Sequence, residues 1–215
     1  MVGNSINHAT VREIFTANRV LRRLRENEIS LFFTRLDTQS CYFVGFCDAS
    51  FANLPDNGSQ GAYIIFLIDK TGSYSVIAWQ SRRIRRVVHS TIAAECLAAV
   101  EVAETCVYLN KTLQLMLGKN NKEIPITILC DNKSLVDQLH TTTAIENKRL
   151  RIDISVLKDM LQEGDISQFK WVPTELQIAN ALTKKGCSSL YLHEVLNNRQ
   201  LRFDMSSGAF ISIDH

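Results

Sequence analysis

The sequence predicts an α/β fold built on a mixed five-stranded sheet flanked by helices. Three observations carry this. Apolar patterns follow one another in the order strand, strand, strand, helix, strand, helix, helix, strand, helix. Ile126–Cys130 is an unbroken apolar run of strand length, the pattern of a central strand covered on both faces. A long helical stretch separates that run from the three early strands, and crossovers through helices make the later strands parallel to the first.

Each element has its own signal. Residues 10–27 form a basic helical pattern with Val11, Ile14, Phe15, Val20, Leu21 and Leu24 at its apolar positions. A short strand over 29–36 and a polar linker over 37–40 follow. Strands are predicted over 42–49, 62–69 and 74–80, separated by a turn around Pro55-Asp56-Asn57-Gly58 and a hairpin at Lys70-Thr71-Gly72. The long helix spans 91–117 and ends near Gly118. After Ile126–Cys130 come helices over 133–140 and 150–162, a break at Gly164, and a last strand over 166–172. Helices over 176–184 and 189–197 close the pattern, and nothing is assigned after Leu201. The organisation read from this is a connector over 1–40, a main domain over 41–186, and a C-terminal helix and tail over 187–215.

The bulk properties exclude several classes. A length of 215 residues with 46% hydrophobic residues suits one globular domain with extensions. No apolar run approaches the ~20 residues of a membrane helix, and the first twenty residues are too polar for a secretory signal. The six cysteines form no CxxC pair and read as buried, reduced thiols of an intracellular protein, in the cytoplasm or nucleus. The five histidines lack metal-ligand spacing, so zinc is not expected. A net charge of +2 leaves nucleic-acid binding to local clustering.

Three acids stand out by position. Strand alternation puts Asp48 on one face with Val44 and Phe46, so an acid continues an apolar face. Glu95 lies beside the helical stripe Ile92, Cys96, Ala99, Ala103 and Cys106, whereas Glu101 and Glu104 fall on the outer face. Asp131 ends the buried strand, where α/β sheets commonly hold ligands; either Asp131 or Asn132 also suits the cap of the following helix. Asp48 and Asp131 on adjacent strands, with Glu95 over them, make a carboxylate cluster that a hard divalent cation would relieve. The basic run Arg82, Arg83, Arg85 and Arg86 makes a local positive patch suited to phosphate contact, or to pairing with the chain's own acids. Asp153 reads as structural.

The ordered motifs Gly-Phe-Cys-Asp48-Ala-Ser, Gly61-Ala-Tyr-Ile-Ile-Phe-Leu, Ala78-Trp-Gln-Ser-Arg-Arg, Ser90-Thr-Ile-Ala-Ala-Glu95, Leu129-Cys-Asp131-Asn-Lys-Ser and Trp171-Val-Pro-Thr-Glu, running on to Ala-Asn180-Ala-Leu-Thr-Lys, resemble the ribonuclease H domain of copia-type retrotransposon polyproteins. The resemblance runs from about Tyr42 to Lys185. It implies a ribonuclease H-like fold, hydrolysis of the RNA strand of an RNA–DNA hybrid, two Mg²⁺ ions (with Mn²⁺ as substitute), and a reverse transcriptase polymerase domain as partner. Carried over by position, Asp48, Glu95 and Asp131 are the first three metal-binding catalytic acids. Asn180 stands where the family has a fourth, which implies a weaker metal site; Glu175 is the nearby acid that would compensate. No polymerase motif is found, so the chain reads as a fragment, a truncated copy or a domesticated gene. The alternatives are a catalytically weak or inactive remnant that binds nucleic acid, and an integrase-type nuclease on the same fold.

Overall fold

A computed structural model of the chain describes residues 10–26, 30–118, 124–141, 145, 147–184, 186–198 and 201–212. The chain divides into two units, one ending at Leu31 and one beginning at Phe32. In the first, helix α1 (Val11–Glu26) starts at Thr10, whose backbone N–H donates to the Glu13 carboxylate at 2.8 Å. This helix buries none of its residues and exposes the apolar row Val11, Ile14, Phe15, Val20, Leu21 and Leu24.

The second unit contains strands β1 (Tyr42–Ser50), β2 (Gln60–Ile68) and β3 (Tyr74–Arg83), helix α2 (Thr91–Met116), strand β4 (Ile126–Cys130), helices α3 (Lys133–His140) and α4 (Lys148–Gln162), and strand β5 (Gln168–Trp171). A 3-10 turn (Thr174–Leu176) leads to the one-turn helix α5 (Asn180–Thr183), helix α6 (Leu190–Asn197) and a hairpin of β6 (Leu201–Asp204) and β7 (Ala209–Ser212). The main sheet has the order β3-β2-β1-β4-β5. β1 pairs antiparallel with β2 and parallel with β4, and β4 pairs parallel with β5. This is the mixed five-stranded sheet, flanked by helices, that the sequence predicts.

β1 lies at the centre and is buried on both faces. Its odd residues, Phe43 and Cys47 among them, join α2, α3 and α4 in one core; Val44 and Phe46 join α5, α6 and the β6–β7 hairpin in a second. The first core depends on close approach. α2 turns small residues toward the sheet, with Ala98, Ala99, Ala103 and Cys106 all buried. A Cβ on Gly45 would meet Val102 Cγ2 at 2.7 Å, so only glycine lets the helix lie this close to β1.

Two predicted elements differ. The stretch 30–36 is not a strand (Ile29 lies outside the described residues). Here the backbone is tethered by side chains instead of a ladder: Thr34 N–H donates to Ser75 Oγ at 2.9 Å and Asp37 N–H to Asp69 Oδ2 at 3.2 Å. The helix predicted over 176–184 is broken, because Gln177 leaves the helical region and turns its side chain into the sheet. The unassigned residues after 201 form a hairpin that closes the second core. Phe203 and Phe210 join Phe46, Phe66 and Tyr74 in an aromatic cluster, with Tyr74 and Phe210 ring centroids 4.5 Å apart.

Because the α2–β1 approach has no spare volume, Gly45→Val is expected to destabilise the fold by about 1–3 kcal/mol or more. A lowered urea midpoint at unchanged m-value checks this; an unchanged midpoint would refute the packing account.

Candidate active site

The parallel strands β1 and β4 carry their acids to the same sheet end. Cys47 pairs with Cys130, so Asp48 and Asp131 are the next residues on adjacent strands. Asn132 caps α3 by accepting from Leu135 N–H at 3.0 Å, which resolves the open capping question and leaves the Asp131 side chain available. The Asp131 main-chain carbonyl is fixed by the Trp171 indole N–H at 3.0 Å. From one face of the sheet, α2 brings Glu95, which lies within the buried stripe rather than beside it. Its Oε2 accepts from Ala49 N–H at 3.1 Å, tying the helix to the end of β1. Donor atoms of Glu95, Asp131 and Cys130 all lie within 4.8 Å of one another.

From the opposite face, α5 supplies three groups. Thr183 Oγ1 donates to Asp48 Oδ2, and Lys184 Nζ lies 3.2 Å from Asp48 Oδ1 while also donating to Asn180 Oδ1. The lysine is a donor only, so it fixes the Asn180 amide. Its oxygen faces Lys184 and its Nδ2 donates to the Thr174 carbonyl at 3.0 Å. Gln177 links this segment to the sheet, with Nε2 donating to the Cys47 carbonyl at 2.9 Å and lying 3.4 Å from that of Leu129. It thereby joins β1 and β4 one residue before Asp48 and two before Asp131.

The electrostatics follow from the burial. Asp48 has no exposed surface and Glu95 is 4% exposed. Burial pushes the Glu95 carboxyl up to about 10, with Cys130, Asp48 and Asp131 adding to the rise and Lys184 opposing it. Burial also raises Asp48, partly offset by the Thr183 hydrogen bond and the Lys184 charge. Burial disfavours the Lys184 ammonium, but Asp48 outweighs it and raises its pKa. Carboxylates this close, in a pocket this dry, fit a hard divalent cation held by oxygen donors. Cys130 is a soft donor beside Glu95 and Asp131.

Other sequence-predicted residues separate from this centre. Glu175 is exposed on the 3-10 turn. Asp153 pairs with Arg86 at 2.8 Å, in the structural role expected for it. Arg82 and Arg83 lie in β3, which runs past its predicted end at 80, at the same sheet end as Asp48, since Asp48 pairs with Ala62 and Ala62 with Ser81. Arg82 pairs with Glu101 and Arg83 with Asp56; among the described residues Arg85 has no ion pair. Glu101 is therefore a partner and not a freely solvated charge. Sequence reasoning missed Gln177, Thr183 and Lys184 as site residues. All three lay within the motif that runs from Trp171 to Lys184, where none of the three was marked as a site residue.

No protein-family model matches the chain. It is 30% identical over 142 residues, 65% of its length, to the retrovirus-related Pol polyprotein of transposon TNT 1-94 from Nicotiana tabacum, and spans 10% of that polyprotein. Solved structures similar to it include the N-terminal ribonuclease H domain of Rv2228c from Mycobacterium tuberculosis. That match has 17% identity, covers 67% of this chain and 91% of that one, and has a TM-score of 0.46. Another is LC11-RNase H1, solved in complex with an RNA/DNA hybrid, at 16% identity, 66% and 93% coverage, and a TM-score of 0.48.

The buried acid generates a pH prediction. Between the usual 4.5 and about 10, folded Glu95 keeps a proton that the unfolded chain has released. Stability of the metal-free protein should therefore fall as pH rises through that window. Glu95→Gln should flatten the slope, measured by thermal melts in chelator; an equally steep slope in the variant would refute the assignment. In motif order, the chain resembles the ribonuclease H domain of a retrotransposon polyprotein.

Proposed function

We propose that the chain is a metal-dependent ribonuclease H that cleaves the RNA strand of RNA–DNA hybrids during retrotransposon reverse transcription. The observation that carries this reading is the convergence of three acids at one sheet end: Asp48 and Asp131 follow the paired residues Cys47 and Cys130 on adjacent strands, Asp48 and Glu95 are buried, and Glu95 and Asp131 donor atoms lie within 4.8 Å of each other. Asp48, Glu95, Asp131 and the Asn180 carbonyl oxygen are the groups that would hold Mg²⁺ or Mn²⁺. When bound, the metal supplies an activated water and charge stabilisation for the leaving oxygen of a phosphodiester. The chain's own residues do the rest. Ala49 N–H orients Glu95, Gln177 holds the two strands in register, and Thr183 and Lys184 fix both oxygens of Asp48.

The Arg82–Arg86 run starts at the same sheet end as Asp48 and would contact the phosphates of the hybrid, with Arg85, which has no ion pair among the described residues, able to do so without breaking one. The similarity to one-tenth of a Pol polyprotein supports a polymerase region as partner, with residues 1–40 as the connector. A weak or inactive nucleic-acid-binding form is the second reading, and Asn180 in place of a fourth acid favours it.

A labelled RNA–DNA hybrid with Mg²⁺ or Mn²⁺ tests the proposal. Cleavage of the RNA strand alone is expected, reduced at least about 100-fold by Asp48→Asn. Retained hybrid binding without cleavage by either metal would select the second reading. Arg85→Ala is expected to weaken hybrid binding and lower its salt dependence by about one unit of log–log slope, more than Arg82→Ala does. Equal effects would remove the special place of Arg85.

A further inference from the structure

We infer that Lys184 takes the place of one divalent ion, so that the site binds a single metal instead of two. The inference rests on the reading of the acid cluster as a metal site and concerns how that site is filled.

The geometry divides the site in two. On the α2–β4 side lie the Glu95, Asp131 and Cys130 donor atoms, within 4.8 Å of one another. On the α5 side, the Lys184 ammonium sits between Asp48 Oδ1 and Asn180 Oδ1, donating to both. Those two oxygens are the ligands a second ion would need. An ammonium and a divalent ion cannot share them, because each is a cation seeking the same lone pairs. The second Asp48 oxygen is taken by the Thr183 hydroxyl, which an ion on the other side can displace without meeting a like charge.

Charge counts in the same direction. Ionised Asp48, Glu95 and Asp131 carry three negative charges, Asn180 adds none, and Lys184 removes one. A single divalent ion neutralises what remains; a second would leave the buried site strongly positive. Part of the Lys184 side chain reaches solvent, but its backbone is held beside Asp48 because α5 is pinned by its carbonyls. Asn53 Nδ2 donates to the Thr183 carbonyl at 3.0 Å, and Gln60 Nε2 and Ser81 Oγ donate to that of Leu182 at 3.0 and 2.6 Å. Lys184 is thus a positioning residue that does for Asp48 what an ion does, as a tethered charge.

Titration of the whole chain with Mn²⁺, read by calorimetry and by the free-ion electron paramagnetic resonance signal, tests this without any nuclease assay. One ion per chain is expected for the native protein. Lys184→Met with Asn180→Asp should bind two, and Lys184→Met alone should bind its first ion roughly tenfold more tightly. Lys184→Arg, which keeps the charge, should stay at one ion. Thermal melts establish that each variant is folded, and Lys184→Gln replaces Lys184→Met if that variant is not. Two ions on the native chain would overturn the role of Lys184 while leaving the metal site standing. No ion on any folded variant would overturn both.

Discussion

A carboxylate without solvent exposure at the end of the central strand is the constraint on which the rest of the site depends. Asp48 continues the face of Val44 and Phe46, where apolar packing would be favoured. Leaving its charge unpaired there would cost several kcal/mol. The chain answers from one direction, with the Thr183 hydroxyl and the Lys184 ammonium. That answer requires a helix of only four residues to hold its place, which it cannot do by its own hydrogen bonds. Side chains of β2, β3 and the β1–β2 turn hold its carbonyls, and Gln177 ties the segment before it to β1 and β4. The position of one acid thus explains why polar side chains of β2, β3 and the β1–β2 turn converge on one short helix.

The other face of the sheet solves a different problem. α2 must bring Glu95 to the end of β1, and does so by lying close along the strand. Gly45 and the alanines of α2 set that distance, and the Ala49 N–H then donates to the Glu95 carboxylate. Packing and chemistry are therefore coupled. A helix displaced outward by a larger residue at Gly45 would carry the carboxylate away from Asp131. The β6–β7 hairpin plays the matching part beneath α5 and α6, where Phe203 and Phe210 fill the space beside Phe46 and Phe66.

What the sequence made legible follows the range of the interactions. β1, β4, α2 and α3 were readable to within a residue or so because their patterns are set by burial on a regular lattice of 2 or 3.6 residues. Asp48, Glu95 and Asp131 were readable because an acid interrupting such a pattern is conspicuous. The stretch 176–184 was not, because its helical propensity is overridden by one tertiary contact of Gln177. Segment 30–36 misled for a related reason: its apolar residues suit a strand, but no neighbour offers it a ladder. The hairpin after Leu201 had a faint signal in the alternation of Leu201 and Phe203 before Gly208, too short to stand without the aromatic surface it covers. The arginine run was legible as charge, but whether it faced phosphate or the chain's own acids depended on Asp56, Glu101 and Asp153, distant in sequence.

Asn180 looks like a defect in the sequence and like a fitted residue in the structure. Its amide nitrogen donates to the Thr174 carbonyl, while its oxygen faces the Lys184 ammonium. An aspartate at this position would satisfy the lysine but would set a second acceptor against Thr174, with no proton to share. The cost is that of one buried polar group left without a partner, about 1–3 kcal/mol. The amide is thus the side chain of this shape that satisfies both neighbours at once. A site assembled around a permanent ammonium has reason to prefer it, since a further carboxylate would bind Lys184 more tightly and make Asp48 compete for it. The neutral residue and the tethered cation are two parts of one arrangement, in which Asp48 stays paired whether or not an ion is bound.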